Sequence, residues 1–551
     1  EYLAFDSTCL VEEDDEPPHR LNPEALAVSL EIAQLLDMLV VDQVQVMRKI
    51  VIDGSNTSGF QRTALVARDG EIRTADGPVG IEDLMLEEES AQRIAETDAG
   101  VRYGLDRLGI PLVEIGTEPD ITTPTQAREA AERIGMLLRS TGTVKRGLGT
   151  IRQDVNISIA DGARVEVKGV QQLDDIDDIV RLEADRQVAL LDIAGQLADR
   201  EASVGDSVDV SAVFAETDCG VIASALDADG TVIAVPLRGF DGLVGAEIQP
   251  DRRLGTELSD HAKRHGAGGV FHTDELPAYG VSAAEVDALR EAVGVGSDDA
   301  VALVADDRET AETAIDAVAK RARSAMEGVP EETRGANEDG TSRYLRPLPG
   351  AARMYPETDV PPVEPDVTEV ETPELITEKV ERYRTELDLN ASLAEQVAWG
   401  QRWPLFEDAV ERGVDPTLAA EVVEGTVTEL RRDGVPVEAL TDEHFRHLFG
   451  VLATGTLPRE GIPAVLETLA NDPGMDVEAA VEAAGVGGAD EAAVREVVEA
   501  VVERNADQVE AEGMGAFSGL MGECMAELRG KAEGEVVSDL LREAIQARAE
   551  S

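Results

Sequence analysis

At 551 residues, 43% of them apolar and only 3% aromatic, the chain is too long for one core, so three or four domains packed on Val, Leu, Ile and Ala are expected. Its 112 acidic and 49 basic residues leave a formal charge of −63, which excludes any overall attraction for phosphate; a nucleic-acid site must be a local Arg patch. Three scattered cysteines, Cys9, Cys219 and Cys524, exclude a disulfide framework or a Cys-built zinc site, and no run approaches the roughly 18 apolar residues of a membrane span.

The acids are spread along the whole chain, and 42 of the basic residues are Arg against seven Lys. Such a charge repels itself at low salt. Molar salt shortens the screening length to about 3 Å and quiets the repulsion. We read the composition as adaptation to a salty cytoplasm and the chain as a soluble cytoplasmic enzyme, with neither membrane nor DNA as partner. The chain opens at Glu1 in mid-pattern without a start signal, so a truncated N-terminus is expected.

Residues 1–213 mix strands and helices. Within them, Asp53-Gly-Ser-Asn-Thr-Ser-Gly59 is a polar loop between the strand-like Ile50–Ile52 and Phe60–Thr63. Consecutive small residues expose backbone N–H groups that can cradle an anion, although a plain tight turn reads equally well. Glu87-Glu88-Glu89 follows the apolar Leu84-Met85-Leu86, and Glu114 interrupts a run, Ile110 to Ile115, that reads as a buried strand. A buried carboxylate is costly unless paired or bound to a cation. Glu88 and Glu114 could share one Mg²⁺, which takes oxygen ligands; the alternative is a helix-starting turn of three Glu, with Glu114 meeting an Arg.

Thr123 suits a helix N-cap, Pro124 the first helical position and Gln126 the closing member of a capping box. Ala127, Ala130, Ile134, Leu137 and Leu138 continue at helical spacing, and Gly142 ends the helix. Next, Ile151–Ile159 and Arg164–Lys168 alternate around Ala160-Asp161-Gly162. A two-residue Asp-Gly turn would set Ile157 against Glu166. A three-residue loop with Gly162 left-handed pairs Ile157 with Val165 and Val155 with Val167, which separates the faces. The polar face then carries Arg152, Asp154, Asn156, Ser158, Arg164, Glu166 and Lys168.

From 214 to 328 the texture becomes a compact α+β unit, with strands Thr231–Leu237 and Val301–Val304 and a helix over Thr310–Met326. Residues 329–374 are Pro-rich and irregular. From 375 onward the chain is almost purely helical, in two pieces, 375–478 and 479–551. The expected fold class is therefore α+β and multidomain. No P-loop, G-x-S-x-G elbow, H-E-x-x-H or kinase signature occurs, and the six His form no constellation.

Several blocks occur in order: Arg48-Lys49, Gln61-Arg62-Thr63, Leu86-Glu87-Glu88-Glu89, Leu105 to Asp120 with its Pro-Leu-Val-Glu-Ile and Glu-Pro-Asp, Gly149 to Ser158 with its Arg-Gln-Asp-Val-Asn-Ile-Ser, Glu166-Val-Lys168, Glu332-Thr-Arg334, and Met354-Tyr-Pro-Glu357 with Asp359. Together they resemble the B/E subunit family of tRNA-dependent amidotransferases. Residues 214–328 look like the insertion shared with bacterial-type aspartyl-tRNA synthetases, which marks the archaeal, E-type branch. Gly513-Met-Gly515, Leu528-Arg-Gly-Lys531 and Leu540-Leu541 are similar to the family's helical tail.

The resemblance implies a catalytic cradle over 1–213 and 329–374, the insertion at 214–328, a helical domain at 375–478 and a tRNA-binding tail at 479–551. It implies ATP-dependent amidation of glutamate misacylated on tRNA(Gln), through a γ-phosphoryl intermediate, with ATP and Mg²⁺ as cofactors. Ammonia would come from an asparaginase-like amidotransferase partner, the D-type subunit, in an expected heterotetramer of two D-type and two E-type subunits. Carried over by position, Glu88 and Glu114 match metal carboxylates, Arg152, Asp154 and Lys168 line the catalytic cradle, and Lys49, Ser55, Asn56 and Gln61 lie near nucleotide. The family's Gly-Leu-Glu-x-His motif is absent here, which leaves a non-catalytic tRNA-binding scaffold as the alternative. Local patches for tRNA are expected at Arg139, Arg146 and Arg152, or at Arg402 with Arg431 and Arg432.

Overall fold

Alternation in the first 120 residues builds an antiparallel sheet. Its strand order is Met354–Pro356, Val46–Ile50, Phe60–Thr74, Gly77–Glu88 and Pro111–Thr117, with Leu39–Val40 pairing the Phe60–Thr74 strand off this path. The computed structural model describes all residues except 98–99, 148, 351–352, 455–456, 487–490, 529–531, 533 and 550–551. Side chains of a strand point alternately to either face. One face carries Val46, Ala64, Leu84 and Leu86, all buried. The helix Pro23–Leu35 packs on two of these strands. That helix starts where Asn22 accepts hydrogen bonds from the N–H groups of Glu24 and Ala25, with Pro23 at its first position.

A second sheet, of order Ser342–Pro347, Glu332–Ala336, Val165–Val170 and Gln153–Ile157, holds the polar hairpin. The register is the one that separates the faces: Ile157 opposite Val165, Asn156 opposite Glu166 and Val155 opposite Val167. The loop differs in one respect. Asp161, not Gly162, is left-handed (φ 63°), a conformation Asp tolerates through its short polar side chain. Gly162 is needed for space, since a Cβ there would lie 2.3 Å from Oε1 of the buried Gln187. The helix Pro124–Ser140 begins at Thr123 as expected, but Gln126 accepts from the N–H of Thr122, one residue before the N-cap.

The third sheet runs Ser203–Val204, Thr231–Arg238, Ala300–Asp306 and Phe271–His272, with Val208–Asp209 beside Thr231–Arg238. It therefore draws in two short strands N-terminal to 214, each only two residues long and so without a readable alternation. Both of its faces are buried: Val235 and Leu237 lie in one core with helices Leu254–Lys263 and Arg308–Glu327, and Val232 and Ala234 lie in another with Ala283–Val293. Between this unit and the second sheet lies a buried ionic network of three Arg and three Glu. Arg334 donates to Glu257 (2.6 Å) and Glu332 (2.5 Å), Arg186 to Glu183 (2.8 Å) and Glu332 (3.2 Å), and Arg321 to Glu257 (3.4 Å).

The chain divides into two units, Glu1–Thr372 and Pro373–Ser551. Among the described residues the second unit is wholly helical, from Ile376–Thr385 to Gly534–Ala549. A separate apolar core within it is built from residues between Val494 and Ile545. In the tail motif Leu528 is described and buried, whereas Arg529, Gly530 and Lys531 lie outside the described residues.

Candidate active site

The exposed face of the first sheet collects the charged groups. Lys49 lies opposite Gln61, Thr63 opposite Glu87, and Met85 opposite Glu114. Glu87 is buried and fully engaged. Lys49 Nζ (3.1 Å) and Thr63 Oγ1 (3.0 Å) donate to its Oε1, and Gln61 Nε2 donates to its Oε2 (3.2 Å) and to the Glu88 carbonyl (2.6 Å). Glu114 shares this face. Its strand sits at the sheet edge and is not the buried run its sequence suggests. The side chain keeps an exposed surface, yet the carboxyl is crowded. Burial raises it first and the charge of Glu87 raises it further, to about 6, against the opposing Lys49 ammonium.

Glu88 points the other way. It follows Glu87 in the same strand, so it projects from the opposite face. There Arg62 donates to it at 3.4 Å and to the buried Glu357 at 3.2 Å, and Arg48 reaches Glu357 at 2.5 Å. Both guanidinium groups stack over Phe60. Burial raises the Glu88 carboxyl, and the Arg62 charge offsets only part of that. Burial would raise Glu357 as well, but the hydrogen bonds from Arg48 and the Asp359 N–H and the two Arg charges hold it at about 2.

Glu88 and Glu114 therefore do not share one ion in this arrangement. The carboxylate that shares a face with Glu114 is Glu87, because Met85 is the residue in register with Glu114 and Glu87 is the next residue on that face. Glu87 and Glu88 end a strand and Glu89 follows it directly, so the three Glu do not start a helix. Among the described residues no three His, Cys, Asp or Glu side chains converge as a metal site. A carboxylate pair fits Mg²⁺ only in its usual mode, with one or two carboxylates completed by substrate phosphates.

The hairpin contributes a second set of charges. Lys168 is ion-paired with Asp154 and, at 3.2 Å, with Glu166. Burial would lower the Lys168 ammonium, but these carboxylates raise it. Arg152 donates to Glu89 at 2.6 Å, which joins the hairpin to the end of the carboxylate-bearing strand. In the 53–59 loop, Ser55 binds back to Asp53, and its carbonyl accepts from the Ala91 N–H. Asn56 is buried and accepts from Ser90, while Tyr2 and Tyr103 donate to the carbonyls of Gly54 and Asp53. Lys49 and Gln61 thus meet at Glu87, whereas Ser55 and Asn56 are bound to the segment just beyond Glu89.

Reasoning from sequence missed Glu87 as the carboxylate on the face of Glu114; the signal was there in strand alternation through Glu87 and Glu88, once read with register. It also missed a cavity of about 250 Å³ on the same face, walled by Met47, Leu65, Met85 and Met354. Of the expected tRNA-binding Arg residues, Arg152 is paired with Glu89, Arg431 is paired with Glu438 (2.9 Å), and Arg402 lies over the Phe445 ring.

Known proteins share this sequence closely. The family model described as "GatB/GatE catalytic domain" matches residues 9–371, and one described as "GatB domain" matches 404–545. The chain is 71% identical over 550 residues to the E subunit of the glutamyl-tRNA(Gln) amidotransferase of Haloarcula marismortui, covering 100% of this chain and 88% of that one. For its counterpart in Natronomonas pharaonis the identity is 72% over 549 residues (100% and 88%), and for that in Methanocaldococcus jannaschii 50% over 551 residues (98% and 88%). The ordered sequence blocks, the mixed α+β architecture and these full-length matches lead to one conclusion: the chain belongs to the GatB/GatE family, on its archaeal, halophilic E-type branch.

Proposed function

We propose that the chain catalyses ATP-dependent conversion of glutamyl-tRNA(Gln) to glutaminyl-tRNA(Gln) in a halophilic cytoplasm, using ammonia delivered by an amidohydrolase partner of the D type in a two-plus-two assembly. The observation that carries this reading is the Glu87–Glu114 pair facing Lys49 beside a cavity on an open sheet face. A carboxylate is a poor acyl donor to ammonia, and phosphorylation makes it a good one. The chemistry needs cationic groups for the transferring phosphoryl charge and a water-poor route for ammonia. Mg²⁺, arriving with the nucleotide, would neutralise phosphate charge. Glu114 with Glu87 would hold it, and Lys49 and Gln61 would orient the phosphates. Ser55 and Asn56 would flank them. Arg152, Asp154 and Lys168 would position the glutamyl-tRNA end, with Lys168 kept cationic by its two carboxylates.

The test is conversion by the full-length protein in molar KCl, supplied with ATP, Mg²⁺, ammonium and glutamyl-tRNA(Gln). The amino acid recovered from tRNA should become glutamine for the parent and stay glutamate for Glu114→Gln. A scaffold that only binds tRNA is the competing reading, kept open by the absence of a Gly-Leu-Glu-x-His motif from these residues. It would be favoured by tRNA binding without conversion, even after the amidohydrolase partner is added.

A further inference from the structure

The polar face of the second sheet carries two cations beyond those of the hairpin. In the parallel pairing of Val165–Val170 with Glu332–Ala336, Glu166 lies beside Thr333 and Lys168 beside Gly335. The edge strand Ser342–Pro347 then sets Arg343 opposite Gly335 and Arg346 opposite Thr333. A register shift is what puts both on one face. Arg334 is opposite Tyr344 and Thr333 opposite Arg346, so Leu345 is an extra residue, a β-bulge. Strict alternation would have turned Arg346 to the buried side, with Arg334. Two rows result, about 6.6 Å apart at a strand rise of about 3.3 Å per residue. One row holds Lys168, Gly335 and Arg343, and the other Asn156, Glu166, Thr333 and Arg346. Both arginines are exposed.

Gly335 decides how Arg343 lies. A Cβ at this buried position would stand 3.5 Å from Cζ of Arg343 and 3.4 Å from the Cδ atoms of Leu345, so both side chains fold over the bare backbone. The guanidinium is thereby held over the sheet, one strand away from Lys168. It binds only uncharged oxygens: Nη1 donates to the carbonyl of Ala336 (3.2 Å) and to Oδ1 of Asn337 (2.6 Å). Among the described residues the edge formed by Nε and Nη2 makes no hydrogen bond, and Arg346 makes neither hydrogen bond nor ion pair. The hairpin's own cations Arg152 and Lys168 are paired, Arg152 with Glu89 and Lys168 with Asp154 and Glu166. Asp339, at the tip of the turn before Arg343, directs its carboxylate to Thr341. In a chain with 112 acidic and 49 basic residues, two neighbouring guanidinium groups without a carboxylate partner mark a place for an anion from outside.

We propose that Arg343 and Arg346 hold the phosphodiester backbone at the 3′ end of glutamyl-tRNA, Arg343 offering its Nε–Nη2 edge to one phosphate and Arg346 taking the next. This rests on the amidation reading above and deepens it. A guanidinium fork matches two oxygens of one phosphate. Phosphate contacts fix register and orientation without reading bases. That is the requirement of a site acting on an amino acid esterified beyond the last nucleotide. The row bearing Arg343 is the one nearer Arg152, whose bond to Glu89 joins this sheet to the carboxylate-bearing strand. Backbone held there lies on the side of the sheet towards Glu87 and Glu114.

Amidation by the full-length protein, in a KCl series within the range where it stays folded, would give kcat and the KM values for glutamyl-tRNA(Gln) and ATP. The variants are Arg343→Gln, Arg346→Gln and Arg343→Lys, all at exposed positions, so their melting temperatures should match the parent's. Each Gln variant should raise the KM for tRNA about tenfold, the scale of one charge-assisted hydrogen bond, with kcat and the KM for ATP unchanged. The slope of log KM for tRNA against log KCl should fall by about 0.7 per guanidinium removed, the share of one single-strand phosphate. Arg343→Lys keeps the charge and should keep the slope, while losing affinity with the fork. Unchanged tRNA KM and slope in both Gln variants overturn the proposal and leave the amidation reading standing. A rise in the KM for ATP in place of that for tRNA gives the two cations to nucleotide and overturns it as well. A parent that performs no amidation defeats the amidation reading instead, and equilibrium dialysis of glutamyl-tRNA against the same variants then decides the proposal by the same salt slope.

Discussion

Glu114 and Glu357 are two carboxyls of one sheet with opposite electrostatic fates. Glu114 is raised to about 6 by burial and then by Glu87, from an ordinary value of 4.5. Between these values the folded chain holds a proton that the unfolded chain releases. The stability linked to Glu114 is therefore full below about 4.5 and lost as pH rises through about 6. Thermal unfolding in molar KCl should show this decline, and Glu114→Gln should flatten it; an unchanged decline would assign the titration to another group. Glu357, held at about 2, behaves in reverse: its contribution is present above 4.5 and lost as pH falls through about 2. The run Glu87-Glu88-Glu89 was legible as acidic, but which member shares the face of Glu114 depends on register with a strand some 25 residues away.

At the scale of elements, the hairpin shows how far local pattern reaches. Its register follows from keeping Val155, Ile157, Val165 and Val167 on one buried face, and that is the register observed. The loop conformation was misread because Gly was taken to mean a left-handed backbone, whereas Gly162 is required by contact with Gln187 on a helix distant in sequence. Gly162→Ala should cost about 1–3 kcal/mol by overpacking, read as a lower denaturation midpoint. An unaffected midpoint would mean that Gln187 moves aside freely. Likewise Glu332 and Arg334, recognisable as a motif, serve a buried electroneutral network and not the open face. Arg334→Leu leaves Glu257 and Glu332 without their closest guanidinium, and a loss of about 3–5 kcal/mol is expected from denaturant unfolding in molar KCl. A loss below about 1 kcal/mol would show that water or rearrangement replaces it.

For the whole molecule, a charge of −63 governs stability through screening. Screening length falls from about 10 Å at 0.1 M salt to about 3 Å at 1 M, so repulsion among surface carboxylates fades over that range. The melting temperature should climb steeply with KCl before levelling off, and a protein equally stable at low salt would contradict the halophilic reading. The buried network, neutral and excluded from solvent, should respond far less: the loss caused by Arg334→Leu should stay nearly constant as KCl is varied.

The sequence by itself determined the family, the α+β character and helical C-terminal third, the strongly acidic composition and the hairpin register. Each of these is written in composition, in short ordered blocks or in a period of two or 3.6, all of which are local. Only the tertiary structure decided that Glu87 and not Glu88 accompanies Glu114, that the Glu114 strand lies at an edge, and that Ser55 and Asn56 are tied to the segment beyond Glu89. It also decided that an amide-and-methionine cavity continues the charged face. These depend on which strands become neighbours and in what register, and a one-residue shift in register exchanges every inward side chain for an outward one.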